Sequence, residues 1–276
     1  MQIKELVDRS LKKLSNAEVE DFRNKFFILA EKKLNLSKEV ILSHGDNEID
    51  VDKYEMLEPY LDKIIEGIPV QYLVNEQEFY GLKFFVNENV LIPQPDTEII
   101  VEEALNIISD GDRVLDLCTG SGVIGVTIAN KKNANVVASD ISKKALEVAK
   151  INADNLGDSK VTLVESNLFE NIEGKFNVIV SNPPYIKKDV IRTLSKEVQN
   201  EPIIALDGGI DGLDFYKKIV EEAINYLEDG GYLLLEIGYD QKEEVLNLVI
   251  NKNYKDIRVR KDLSNNDRVV IMQKGE

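Results

Sequence analysis

From Asp112 to the carboxyl end, short apolar runs of strand type alternate with amphipathic helical runs, and this alternation narrows the possible folds more than any other feature of the chain. The series reads RVLDLC, VIGVTIANK, NVVASD, SKKALEVAKINADNLG, VTLVES, FNVIVSNPP, LDFYKKIVEEAINYL, GGYLLLEIG, QKEEVLNLVINK, DIRVRKD and RVVIMQK. Parallel strands need crossover connections, which are almost always right-handed, so strands spaced by helices give a mostly parallel sheet. The last two runs are joined by a polar SNND turn and predict a terminal antiparallel pair. The fold class is α/β, a doubly wound sheet.

The preceding residues read differently. From Ile3 to about Ile65 apolar residues recur at three- and four-residue spacings, as in Leu6, Leu11 and Leu14, then Phe22, Phe26, Leu29 and Ala30, which predicts a small helical domain. Ser37 and Asp50 are expected N-caps, and Gly67 to Pro69 ends the last helix. The aromatic and β-branched text from Val70 to Ile92, with Gly81 and Asn87 at turns, predicts a β-hairpin linker. After Pro95 the run DTEIIVEEALNII is amphipathic with acids in its first turn, where the helix dipole favours them. The expected organisation is a helical domain over residues 1–70, a hairpin linker over 71–95 and a catalytic domain over 96–276.

Charge and composition exclude several functions. The formal net charge of -16 over 276 residues argues against a general nucleic-acid binder, whose affinity comes largely from Lys and Arg on phosphates. One cysteine, Cys118, and one histidine, His44, cannot make an ordinary zinc site or an intrachain disulfide. No metal is expected, and His44 reads as a surface residue. The amino terminus has charges in every turn and lacks the unbroken apolar stretch of a signal peptide, and no run approaches a membrane span. A cytoplasmic protein that acts as a monomer is expected.

The first chemical motif is VLDLCTGSGVIGV, a strand, a loop with Gly120 and Gly122, and a helix. In open α/β sheets ligands bind outside the carboxyl ends of the strands. Glycines there let the backbone approach a ligand, and the following helix offers unpaired amide donors. The Asp116 carboxylate is expected to receive a ligand ammonium, directly or through water, a role that a pyrophosphate loop would not want. The next strand ends in Asp140, about 20 residues after the loop, the separation at which an acid receives ribose hydroxyls. Together they predict a nucleoside site.

The second motif, VIVSNPPYI from Val178 to Ile186, is the most specific signal in the chain. Pro183 and Pro184 remove two backbone donors and restrict the residues before them, which leaves carbonyl oxygens free to point into a site. Asn182 adds a side-chain carbonyl and an amide donor. A planar NH2 group held between the Asn182 oxygen and the Pro183 carbonyl has both hydrogens engaged and its lone pair turned outward. Tyr185 is expected to cover its flat face. Whether the Asn182 donor also takes part stays open at this point.

DLCTGSG, the Asp140 strand end and NPPY together resemble the class I methyltransferases, with their Rossmann-like sheet, that use S-adenosylmethionine on amide or exocyclic amino nitrogens. PVQYLVNEQEFYGLKFFVNENVLIPQPDTE, EPIIALDGGIDGLDFY and NDRVV extend the similarity over nearly the full length to the release-factor glutamine methyltransferases. The resemblance implies transfer of a methyl group from S-adenosyl-L-methionine to the glutamine of a Gly-Gly-Gln loop, leaving S-adenosyl-L-homocysteine and N5-methylglutamine. It further implies that Cys118, Thr119, Gly120, Ser121, Gly122, Asp140, Asn167, Leu168 and Asn182 line the cofactor. Asn182, Pro183, Pro184 and Tyr185 would hold the glutamine amide, and the helical domain would help dock the release factor. Three positions depart from the family pattern: Gln94 replaces an arginine, Cys118 the first glycine of the loop, and Asn167 an acid. A methyltransferase for a ribosomal-protein glutamine shares these motifs. A DNA adenine methyltransferase shares NPPY but would need the basic recognition region that this chain lacks.

Overall fold

In the computed structural model residues 1–157 and 160–275 are described. Asp158, Ser159 and Glu276, which fall within the range 96–276 expected for the catalytic domain, lie outside the described residues. The chain forms two compact units, one of Met1–Glu76 with Ser195–Asn200 and one of Gln77–Leu194 with Glu201–Glu276.

The first unit is helical: Ile3–Asn16 (α1), Phe22–Leu34 (α2), Lys38–Ser43 (α3), Val51–Ile65 (α4) and Val70–Val74 (α5), joined from later in the chain by Lys196–Gln199 (α9). The three- and four-residue spacing puts Ile3, Leu6, Val7 and Leu14 of α1 against Phe26 and Leu29 of α2 and Leu57 and Leu61 of α4 in one core. The Ser37 hydroxyl caps α3 by accepting from the Val40 amide at 3.3 Å. Asp50 precedes α4, but its side chain makes no capping hydrogen bond, contrary to expectation. Gly67 has φ +92°, and a Cβ there would stand 2.7 Å from the Lys196 Cβ, so glycine is required. His44 is exposed.

The hairpin linker expected over 71–95 is corrected at both ends. Val70, Tyr72 and Leu73 are buried in helical conformation in α5, and Val70 and Leu73 join the helical core. Burial outweighs the β preference of these residue types. The hairpin is only Gln77–Phe79 (β1) and Leu82–Phe84 (β2). Its two central residues, Tyr80 and Gly81, have φ of 52° and 72°, as a type I′ turn requires. A short 3-10 turn at Pro95–Thr97 then leads into Glu98–Ile107 (α6).

The remainder follows the expected alternation: Arg113–Leu117 (β3), Val123–Lys131 (α7), Asn135–Asp140 (β4), Lys143–Leu156 (α8), Val161–Glu165 (β5) and Phe176–Ser181 (β6). After Ile203–Leu206 (α10) come Asp214–Tyr226 (α11), Leu227–Glu236 (β7), Lys242–Val249 (α12), Tyr254–Lys261 (β8) and Asp267–Lys274 (β9). The seven strands lie in the order β5-β4-β3-β6-β7-β9-β8, parallel except that β9 runs antiparallel to both β7 and β8. Alternation along the strands feeds two cores. Val114, Val178, Val180 and Leu234 face α6 and α7, while Leu115, Leu117, Ile179, Leu233 and Leu235 face α11 and α12.

This topology locates the site. The chain runs outward from β3 through β4 to β5, then returns to place β6 on the other side of β3, so the strand order reverses between β3 and β6. Ligands in doubly wound folds bind at such a reversal. Leu117 pairs with Ser181 in that register, so the glycine loop and NPPY leave neighbouring strand ends side by side.

Candidate active site

The loop after β3 is held from below by Asp116. Its Oδ2 accepts from the Thr119 hydroxyl at 2.6 Å and the Gly125 amide at 2.9 Å, which ties the loop to the first turn of α7. A Cβ on Gly125 would approach that oxygen to 2.9 Å, a steric demand that the sequence alone did not reveal. Asp116 is 0% exposed and does not line the cavity, which corrects the expectation that it meets a ligand ammonium directly. Its Oδ1 has no hydrogen-bond partner among the described residues. Burial pushes its carboxyl up to about 7.

Above Asp116 the backbone turns sharply. Cys118, Gly120 and Gly122 all have left-handed φ, at 59°, 56° and 84°. The Cys118 conformation explains why glycine suits that position, since a side chain there carries strain. Its thiol is partly buried at the cavity wall and pushed up by desolvation and by Asp140, which disfavours the thiolate that a nucleophile needs. Gly122 lies off the cavity wall, and a Cβ there would come within 3.3 Å of the Ala149 Cβ, so it serves the packing of α7 on α8. At Gly120 a Cβ would meet nothing within 4 Å, because the cavity opens over it.

Asp140, at the end of β4, is on the wall beside Cys118, Thr119, Gly120 and Ser121. Its Oδ2 accepts from the Gly120 amide at 2.9 Å and its Oδ1 from the Ser142 amide at 2.8 Å, which locks the two strand ends together. Burial raises its pKa, against those two hydrogen bonds. Asn167 and Leu168 also line the cavity, with the Asn167 amide donating to Glu170 at 2.8 Å. Among the described residues no Lys or Arg is on the wall.

On the other side Asn182 and Pro184 face the same cavity. Asn182 donates through Nδ2 to the Thr97 hydroxyl at 3.2 Å, which leaves Oδ1 as the end available to a ligand. Pro183 is buried and off the wall. Tyr185, expected to cover the flat face of a substrate amide, is also off the wall. The ring is partly buried against the core beneath α11, and burial raises the phenol against the pull of Arg268. Phe215 supplies the aromatic ring on the wall instead. The glycines of ALDGGIDG let that loop close over the Tyr185 backbone. Cβ atoms on Gly208 and Gly212 would stand 2.7 Å from the Tyr185 Cα and 2.5 Å from its carbonyl oxygen. Gln94 lines the cavity with its amide tied to the Ile92 carbonyl at 3.1 Å.

Behind Asn182 is a polar cluster that sequence reasoning did not assign. Thr97 and Glu236 are 3% and 2% exposed, and Arg268 bridges Asp96 at 3.0 Å and Asp262 at 3.1 Å. The signal was present in the texts PQPDTE, LLLEIG and NDRVV, but nothing in their spacing says that they converge. Among the described residues no group of His, Cys, Asp and Glu could hold a metal ion, and no helix is long and apolar enough to cross a membrane.

The reversed strand order, the glycine loop and the adjoining Asn-Pro-Pro-Tyr define a class I methyltransferase. A crystal structure of a methyltransferase from Pyrococcus furiosus shares the fold with a TM-score of 0.56 at 22% identity, covering 79% of this chain and 100% of that one. Residues 95–203 match the family model Methyltransferase small domain, and residues 5–74 match PrmC N-terminal domain. The release factor glutamine methyltransferase of Clostridium acetobutylicum is 38% identical over 100% of this chain and 99% of its own length. That of Buchnera aphidicola from Acyrthosiphon pisum is 37% identical over 99% of each. The chain belongs to the release factor glutamine methyltransferase family.

Proposed function

We propose that this enzyme transfers a methyl group from S-adenosyl-L-methionine to the side-chain amide nitrogen of the glutamine in the Gly-Gly-Gln segment of peptide chain release factors. The observation that carries the reading is the Asn182 carbonyl oxygen, left free at the strand reversal on the same cavity wall as Asp140 and the glycine loop. The residues suit this cofactor. Gly120 leaves open space, Asp140 offers a carboxylate to ribose hydroxyls, and the absence of a cation on the wall among the described residues suits a sulfonium nucleoside and not a pyrophosphate. Asp116 bears on a ligand through the loop that it holds.

S-adenosylmethionine supplies a methyl group already activated by its sulfonium. The chain's own work is to orient the acceptor. Asn182 Oδ1 accepts one amide hydrogen of the glutamine, and Pro184 and Phe215 bound the space around its plane. The nitrogen lone pair then faces the methyl group at near-attack range. One C–S bond breaks, one N–C bond forms, and the proton released from nitrogen passes to water. No general base at the nitrogen is required. The helical unit docks the release factor, and the enzyme acts as a monomer in the cytoplasm.

Incubation of the enzyme with isotope-labelled S-adenosylmethionine and separate preparations of release factor, ribosomal proteins and duplex DNA tests the reading. Label is expected in release factor. Label confined to ribosomal protein or DNA refutes it. Removing residues 1–76 is expected to leave cofactor binding intact and to slow methylation of limiting release factor, and an unchanged rate would remove the docking role.

A further inference from the structure

Next to Asn182 lies a buried carboxylate that the reaction as derived does not use. Glu236 ends β7, one residue beyond the pairing of Leu235 with Ser181, which puts it beside Asn182 behind the cavity wall. It is 2% exposed, and its Oε2 has no hydrogen-bond partner among the described residues. Thr97, Arg268 and Asn182 each act to lower its pKa. Even so, burial pushes its carboxyl up to about 7.

The chemistry of these groups gives the chain of hydrogen bonds a direction. An ionised carboxylate only accepts, and a threonine hydroxyl has one proton to donate and lone pairs to receive with. Thr97 Oγ1 accepts from Asn182 Nδ2 at 3.2 Å, so its own proton is left for the neighbouring carboxylate, whose Oε2 has no other partner among the described residues. Oδ1 is then the end that faces the cavity. A group at position 236 able to donate would turn the Thr97 proton toward Asn182. The amide would reverse, and an N–H would confront the N–H groups of the acceptor.

We infer that Glu236 is a positioning residue for methyl transfer, acting through the Thr97 hydroxyl to fix which end of the Asn182 side chain meets the acceptor nitrogen. The inference rests on the reading of Asn182 as the acceptor clamp. It also separates two possible roles of the Asn182 donor: that donor is taken up internally and orients the group without touching substrate.

The test is Glu236→Gln in the full-length enzyme. The variant keeps the volume but offers a donor. Its kcat on release factor is expected to fall on the order of 10-fold to 100-fold, the usual loss for an outer partner that orients a functional side chain. The dissociation constant for S-adenosylmethionine and the KM for release factor should stay within about threefold. The folding midpoint at neutral pH should not fall, because the substitution removes a buried charge. A purely structural role moves the midpoint and leaves kcat alone.

The wild-type kcat should also rise as pH passes through about 7, and that rise should be absent in Glu236→Gln. The other groups facing the carboxylate are Arg268 on β9, Asp96 in the turn before α6, Tyr185 after β6 and Tyr216 on α11, and the variant leaves all of them in place. Thr97→Val should lose as much as Glu236→Gln, and the double variant no more than the worse single one, since both break one chain of hydrogen bonds. Should Glu236→Gln fail to fold, Thr97→Val against Thr97→Ser decides, with the serine enzyme expected to be at least about tenfold faster because it keeps the hydroxyl. Full kcat in Glu236→Gln, additive losses in the double variant, or equal rates for valine and serine at position 97 overturn the inference. Wild-type enzyme that leaves release factor unmethylated overturns instead the function on which it rests.

Discussion

The two halves of the cavity are built in opposite ways. The donor half, from Asp116 through the glycine loop to Asp140, is local: within 25 residues the carboxylates of Asp116 and Asp140 take up the amides and hydroxyl that shape the loop. The acceptor half presents one amide, Asn182, whose supports come from Thr97, Glu236 and Arg268 on three separate elements. A ligand held mostly by backbone tolerates variation in side chains. A reacting nitrogen aimed by a single amide depends on everything that holds that amide. The donor half should therefore govern affinity and the acceptor half turnover.

Asn182→Ala probes that division with the largest effect. Losing one preorganised contact to the reacting group typically costs about 10² to 10³ in rate. The cofactor dissociation constant, followed by calorimetry, should hardly change. Asn182→Asp should fail nearly as badly, because it sets a second carboxylate beside buried Glu236 and removes the donor that Thr97 receives. A single-turnover rate for the aspartate enzyme close to wild type would contradict the proposed polarity of the cluster.

Asp140→Ala should show the reverse pattern. Loss of hydrogen bonds to a charged acceptor costs about 1.5–3 kcal/mol, here in cofactor affinity, with turnover at saturating cofactor much less affected. An unchanged dissociation constant in a folded variant would take Asp140 out of the donor half.

Both halves contain a buried carboxyl raised to about 7, Asp116 in one and Glu236 in the other. The folded chain holds these protons more tightly than the unfolded chain does. Their contribution to stability is thus fullest below about pH 4 and is lost as pH rises through about 7. Asp262, whose carboxyl is held down to about 2 by Asn266 and Arg268, works in the opposite sense and loses its contribution only as the medium becomes strongly acidic. Between about pH 5 and about pH 8 the stability of the cofactor-free enzyme should fall by up to about 5 kcal/mol, about 2.5 kcal/mol from each of the two carboxyls. Urea midpoints across that range check this, and Glu236→Gln should flatten the curve. A midpoint that climbs with pH would show that other groups dominate.

The smallest effect concerns Cys118, a non-glycine residue in left-handed conformation. Cys118→Gly relieves backbone strain of order 1–2 kcal/mol and loses part of it to chain entropy, for a net gain of at most about 1 kcal/mol. A clear loss of stability in the glycine variant would mean that the packing of the thiol matters more than its backbone.

The same contrast separates what the sequence disclosed from what it did not. The alternation of strands and helices, the loop between β3 and α7 and the Asp140 strand end were legible because each depends on neighbours within a few turns. NPPY was legible as chemistry, since two prolines after a strand have few other uses. The place of its aromatic member was not, because only the folded chain shows Gly208 and Gly212 closing over the Tyr185 backbone. Thr97 lies 85 residues before its partner Asn182, and no periodicity reports a contact of that range. Val70–Val74 became a helix for a related reason: burial in a core assembled from distant residues decided its conformation.

The most direct measurement is fragmentation mass spectrometry of release factor after treatment with the wild-type enzyme and S-adenosylmethionine, locating the added methyl group to the atom. A single methyl on the side-chain nitrogen of the Gly-Gly-Gln glutamine is the expected product, since the clamp at Asn182 accepts a planar NH2 and offers its lone pair to the donor. A methyl group on a main-chain nitrogen, on a carboxylate or on any residue other than that glutamine would contradict the assignment of Asn182 as the acceptor clamp.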